Sequence, residues 1–122
     1  LNAKPCILFV DDHEDTRLLI ACCLGRLGYE VVGTACPSEG LRLAREGRFD
    51  LYLLDSRFAE GSGLELCEAI REFDAATPIV FFTGEHPSRL EASLDCSAQG
   101  FVMKPQVEEL PKVIERVLAA AA

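Results

Sequence analysis

The sequence predicts an α/β fold, (βα)5, in which five strands form one parallel sheet with helices on both faces. Three observations carry this reading. Short apolar runs alternate with longer segments whose apolar residues recur at i, i+3 and i+4. The connections between them are short. No repeat, linker or low-complexity stretch interrupts the alternation, so residues 1–122 read as one domain with a core from about 5 to 119.

Taken in order, Cys6–Val10 (CILFV) is apolar throughout and bounded by Pro5 and an acidic pair, as suits a strand buried on both faces. Thr16, Leu19, Ile20, Cys23, Leu24 and Leu27 then follow a helical stripe that Gly28 ends. Tyr29–Thr34 is a second, less apolar strand, suited to a sheet edge. Pro37 opens a helix carrying Leu41, Leu43 and Ala44, which stops at Gly47. Leu51–Leu54 (LYLL) is a third buried strand, ending on Asp55. After a loop with Gly61 and Gly63, residues Leu64, Cys67, Ile70 and Arg71 share one stripe of a third helix. Pro78 precedes the strand Ile79–Phe82, which ends on Thr83 and Gly84. A helix is expected over Ser88–Ala98, anchored by Leu90 and Leu94. Phe101–Met103 is a fifth strand, ending at Lys104 and Pro105. Leu110, Val113, Ile114, Val117 and Leu118 pattern the last helix, whose first turn tolerates Pro111.

The formal net charge of −8 argues against this domain neutralising nucleic-acid phosphates. No apolar run approaches the roughly 20 residues of a membrane span, and the start does not read as a secretory signal. The six cysteines form no CxxC pair, which leaves zinc and thioredoxin-like readings without support. They are expected to be reduced, in a cytoplasmic protein.

Parallel strands deliver their last residues to one edge, where such folds bind ligands. That edge here receives Asp11 and Asp12, Asp55, Thr83 and Lys104. Carboxylates so close repel unless a cation lies among them, and hard oxygen ligands suit Mg²⁺ or Mn²⁺. A divalent cation, a lysine, a hydroxyl and a free carboxylate together match the needs of phosphoryl transfer. Any one of these residues alone would read as a turn residue, a helix cap or a solvated charge; their joint occurrence at the strand ends does not. His13 beside the acidic pair invites a transition-metal site, but at the start of the first helix it is expected to point away.

Through ILFVDDHED, LYLLDSRFAEGSGLELC, PIVFFTGE and GFVMKP the chain resembles the response-regulator receiver family along nearly its whole length. The resemblance implies a flavodoxin-like fold of strand order 2-1-3-4-5. It implies that Asp55 is the phosphoacceptor and that Asp12 binds Mg²⁺ directly, with Asp11 acting mainly through a metal-bound water. The backbone carbonyl of Arg57 would complete the ligands. Thr83 and Lys104 would each contact a phosphoryl oxygen, Lys104–Pro105 would be a cis peptide, and Phe101 would be the aromatic switch. Ala59 and Phe58 stand where proline and methionine are common in the family, and Phe101 where tyrosine is frequent. Arg57 and Glu85 occupy positions that tune how water reaches the phosphoaspartate.

The implied role is a phosphorylation-dependent switch rather than an enzyme, assisting only its own phosphorylation and dephosphorylation. The implied donor is a histidine kinase or a histidine phosphotransfer protein. The implied response is a change in the face formed by the fourth helix, fifth strand and fifth helix. That face would meet a downstream effector not identified by the sequence, and is also where a homodimer would form. No output domain is expected within the chain, nor direct contact with nucleic acid or membrane. Two rivals stand against this role. A pseudo-receiver that binds protein without phosphate would be expected to lose an acidic residue, the threonine or the lysine. A small aspartyl-phosphate phosphatase would carry a second acid two residues after the nucleophile, where this chain has Arg57.

Overall fold

A computed structural model describes residues 4–84 and 98–121. An apolar run of four or five residues can bury both of its faces only in the middle of a sheet. Three of the predicted strands do so without a break: β1 (Cys6–Val10), β3 (Leu51–Leu54) and β6 (Ile79–Thr83) are buried at every residue, whereas β2 (Glu30–Thr34) and β7 (Gly100–Met103) are partly exposed. The five pair in parallel in the order β2-β1-β3-β6-β7, with the two less apolar strands at the edges. This is the expected 2-1-3-4-5 order of a flavodoxin-like fold. The numbering jumps because the expected loop after Asp55 contains a two-residue hairpin, β4 (Arg57–Phe58) and β5 (Gly61–Ser62), in its own small antiparallel sheet.

Side chains alternate along each strand, so the sheet divides two cores. Leu8, Val10, Tyr52, Leu54, Ile79 and Phe81 pack beneath α2 (Pro37–Ala44) and α3 (Gly63–Arg71). Ile7, Phe9, Leu51, Leu53, Val80 and Phe82 pack beneath α1 (Glu14–Arg26) and α4 (Leu110–Ala121). In α4, Leu110, Ile114 and Val117 are buried at helical spacing, and Pro111 falls in the first turn as expected. Gly28 closes the α1 connection at φ +97°, a left-handed conformation that favours glycine.

Several expectations require correction. In α1 only Ile20 and Leu24 are buried, while Leu19 and Leu27 are 51% and 58% exposed. The helix packs against edge strand β2, and two residues four apart fill its line of contact with the sheet. In α3 the inward stripe is Gly63, Leu66, Cys67 and Ile70, with Leu64 and Arg71 only half-buried. The close approach of Gly63 to β3 turns the helix this way. A Cβ there would collide with the Asp55 carbonyl oxygen and lie 2.9 Å from the Phe81 ring. The expectation of uniformly reduced cysteines fails at Cys67, which is disulfide-bonded; Cys6, Cys22, Cys23 and Cys36 are free. CxxC spacing could not reveal this bond, because a disulfide depends on which elements pack together. The helix expected over Ser88–Ala98 lies outside the described residues except for Ala98, which is in no helix.

The strand N-termini are held by a polar brace. The Tyr52 hydroxyl donates to Asp74 Oδ2 at 2.8 Å, and Asp74 Oδ1 accepts the Ala76 and Thr77 amides. Arg71 donates to the carbonyls of Asp74 and Thr77 and to Gln99 Oε1, which also accepts the Ile79 amide at 2.7 Å. Burial alone would push the Asp74 carboxyl up, but the hydrogen bonds from Thr77, Tyr52 and Ala76 outweigh it and hold it below its ordinary value.

Candidate functional site

The register that pairs Val10 with Leu54, and Leu54 with Phe81, brings the ends of β1, β3 and β6 together at the opposite edge. Three amide bonds carry the pairing one residue further: Asp11 to the Thr34 carbonyl, Asp55 to that of Val10 and Lys104 to that of Thr83, all 2.8–3.0 Å. Alternation then sorts the side chains. Asp11 continues the face of Ile7 and Phe9, Asp55 that of Leu51 and Leu53, and Lys104 that of Val102. Ser56 and Thr83 continue the other face, behind Tyr52 and Leu54 and behind Ile79 and Phe81.

The contacts follow this division. One carboxylate oxygen from each of Asp11, Asp12 and Asp55 lies within 4.8 Å of the other two. Lys104 Nζ is 2.8 Å from Asp11 Oδ2 and 3.2 Å from Asp55 Oδ2, and lies 5.7 Å from the centre of the Phe82 ring. On the other face, the Ser56 and Thr83 hydroxyls are 2.5 Å apart, and Phe101 stacks on Phe81 with ring centres 5.7 Å apart.

The acidic loop is held at several points. Asp11 Oδ1 accepts the His13 amide, and the Asp11 carbonyl accepts Arg17 Nη1 at 2.7 Å. Asp12, which is exposed, accepts the Ala59 amide at 3.1 Å, a bond proline could not donate. Asp55 Oδ1 accepts the Ser56 amide at 2.7 Å. His13 stands at the N-cap position of α1 without a side-chain capping bond, and its Nδ1 meets the Thr16 hydroxyl, so it points toward its own helix rather than into the carboxylate cluster. Arg57 is exposed on β4, the Lys104–Pro105 bond is cis, and Glu85 lies outside the described residues.

Two features of the donor set fit a divalent cation. Asp11 Oδ2 is fully buried without a well-directed hydrogen-bond donor among the described residues, the Lys104 ammonium meeting it as an ion pair. Three carboxylates and one ammonium also leave two formal negative charges, the complement of one Mg²⁺. Burial pushes the Asp55 carboxyl above its ordinary value; Lys104 opposes that rise and Asp11 adds to it. Burial would lower the Lys104 ammonium, but Asp11 and Asp55 outweigh it and hold the group above its usual range.

Comparison with known proteins gives this edge its context. A family model, response regulator receiver domain, matches residues 7–115. The chain belongs to the response regulator receiver family. Such receivers are signalling domains of two-component systems, typically phosphorylated on an aspartate. This receiver is 35% identical to the uncharacterized transcriptional regulatory protein YkoG of Bacillus subtilis over 96% of its own length and 51% of YkoG's. It therefore spans about half the length of that relative. Its fold superposes on the chemotaxis protein CheY4 of Vibrio cholerae with a TM-score of 0.85 at 32% identity, covering 94% of this chain and 99% of the other. A TM-score of 0.85 at 29% identity relates it to the response regulator TrrA of Thermotoga maritima in complex with Mg²⁺ and BeF, covering 93% and 98%. Among the described residues, no helix is long and apolar enough to cross a membrane.

Sequence reading singled out Asp11, Asp12, Asp55, Thr83 and Lys104 but passed over Ser56 and Arg17. Ser56 carried a signal: it is a hydroxyl on the strand face that Tyr52 and Leu54 bury. The Arg17 contact with the Asp11 carbonyl depends on how the loop folds back over the first turn of α1. No pattern of residue types announces it.

Proposed function

We propose that this receiver is a phosphorylation-dependent switch that accepts a phosphoryl group on Asp55 from a histidine kinase or histidine phosphotransfer protein. The observation that carries this reading is the cluster of three carboxylates with Lys104 bridging Asp11 and Asp55. An Asp55 oxygen attacks the phosphorus in line. An O–P bond forms, the donor's N–P bond breaks, and the imidazole nitrogen leaves with the electron pair. Lys104, its ammonium held charged by two carboxylates, pairs with a phosphoryl oxygen. Mg²⁺ or Mn²⁺, held by Asp11, Asp12, Asp55 and the Arg57 carbonyl, would supply further positive charge against the phosphoryl oxygens. Thr83 turns its hydroxyl to another phosphoryl oxygen and Phe101 repacks. The face bearing β7 and α4 then changes its preference for a downstream effector or a second copy. Arg57 and Glu85 tune how long the phosphoryl group lasts. The domain acts in the cytoplasm and turns over no substrate beyond its own phosphoaspartate.

The test is labelling by a phosphohistidine donor or a small acyl phosphate in Mg²⁺ buffer. Wild type should incorporate about one phosphoryl group per chain and Asp55→Asn none; persistent stoichiometric labelling of Asp55→Asn would refute the assignment.

A further inference from the structure

We propose that Ser56 is a positioning residue for the switch: its hydroxyl holds Thr83 in the phosphate-free conformation and must release it before Thr83 can serve the phosphoryl group. The inference rests on the reading of Asp55 as the phosphoacceptor. Ser56 and Thr83 are 6% and 1% exposed, and their oxygens are 2.5 Å apart. Both hydroxyls are buried, so water is not at hand to replace either partner.

Either hydroxyl could be the donor in the Ser56–Thr83 contact, so position rather than the proton sets the competition. A hydroxyl has one proton to donate, and a phosphoryl oxygen can only accept. Thr83 must aim that proton at Asp55, whose side chain continues the opposite face of the sheet. The Ser56 hydroxyl lies on the face of Tyr52 and Leu54. Moving Thr83 Oγ1 toward the Asp55 edge lengthens its contact with Ser56. The Ser56 backbone is held in place, since its amide donates to Asp55 Oδ1 and its carbonyl accepts the Gly63 amide at 2.8 Å. Ser56 therefore opposes the active arrangement without touching the transferred group, and it sets the resting population of the switch.

Beryllofluoride with Mg²⁺ is a non-hydrolysing probe of the phosphoryl site. Its dissociation constant, measured by calorimetry on wild type, Ser56→Ala, Ser56→Thr, Thr83→Ala and the Ser56→Ala/Thr83→Ala double variant, tests the proposal. Ser56→Ala should bind about threefold to tenfold more tightly than wild type, the range expected for one net hydrogen bond. Ser56→Thr, which keeps the hydroxyl, should stay near wild type. In the Thr83→Ala background the Ser56→Ala gain should vanish, since there is no hydroxyl left to hold. Equal or weaker binding by Ser56→Ala, or the same gain with and without Thr83, overturns the latch. Wild type that fails to bind beryllofluoride overturns the phosphoacceptor reading itself, and the latch with it.

Discussion

Asp55 carries a charge that its surroundings resist. Burial and the neighbouring Asp11 raise its carboxyl, and Lys104 only partly offsets them. A carboxyl raised on folding favours the folded state below its unfolded value near pH 3.9 and loses that advantage as pH rises through its folded value. At neutral pH and without metal, Asp55 therefore works against the fold. Asp55→Asn should unfold at a higher temperature than wild type in chelator, and the order should narrow or reverse when Mg²⁺ is added, because a bound cation stabilises only the protein that holds it. Differential scanning calorimetry in the two buffers checks this; an Asp55→Asn variant less stable than wild type in chelator would count against it. The charged residues of this site were legible in the sequence because each ends a strand, and strand ends share an edge whatever the details of packing. Ser56 and Arg17 were not, because their roles depend on rotamers and on a loop's path.

At the scale of elements, the approach of α3 to β3 governs the geometry around Asp55. Gly63 begins α3 just after a capping box in which Ser62 and Glu65 satisfy each other's amides. It lies so close to the Asp55 carbonyl oxygen that no side chain fits between them. Gly63→Ala should cost about 2 kcal/mol or more by overpacking and should also slow phosphorylation of Asp55, since the displaced backbone is that of the proposed acceptor. Urea unfolding paired with the labelling assay would show it; wild-type values in both would mean that helix and strand separate easily. Gly63 was visible beforehand as the residue closing a loop, but not as a packing constraint, because distance between consecutive elements is absent from periodicity. The same limit explains α1. Its apolar stripe was readable, but how much of that stripe the edge of the sheet could cover was not.

Over the whole molecule, the two-sided burial of the central strands was legible because continuous apolar runs admit few other solutions, whereas the strand order came from the resemblance to the receiver family. The hairpin β4–β5 and the bonded state of Cys67 were not legible, since both arise from contacts between segments. The two ends of the sheet also respond differently to acid. Asp74, in the brace, has its carboxyl held low, so its stabilisation is present above the unfolded value near pH 3.9 and fades as pH falls through its lower folded value. Asp74→Asn should consequently flatten the fall in stability below about pH 4, read from urea midpoints at stepped pH; an unchanged slope would remove Asp74 from the acid response. The division of side chains by alternation has one further consequence. The sheet is a partition between two cores, with charge gathered at its rim on one side and the Ser56, Thr83, Phe81 and Phe101 contacts on the other. In the proposed switch, a change of charge on Asp55 would be registered across that partition as a change in packing. On that reading an electrostatic input becomes a steric output, with only the thickness of one strand between them.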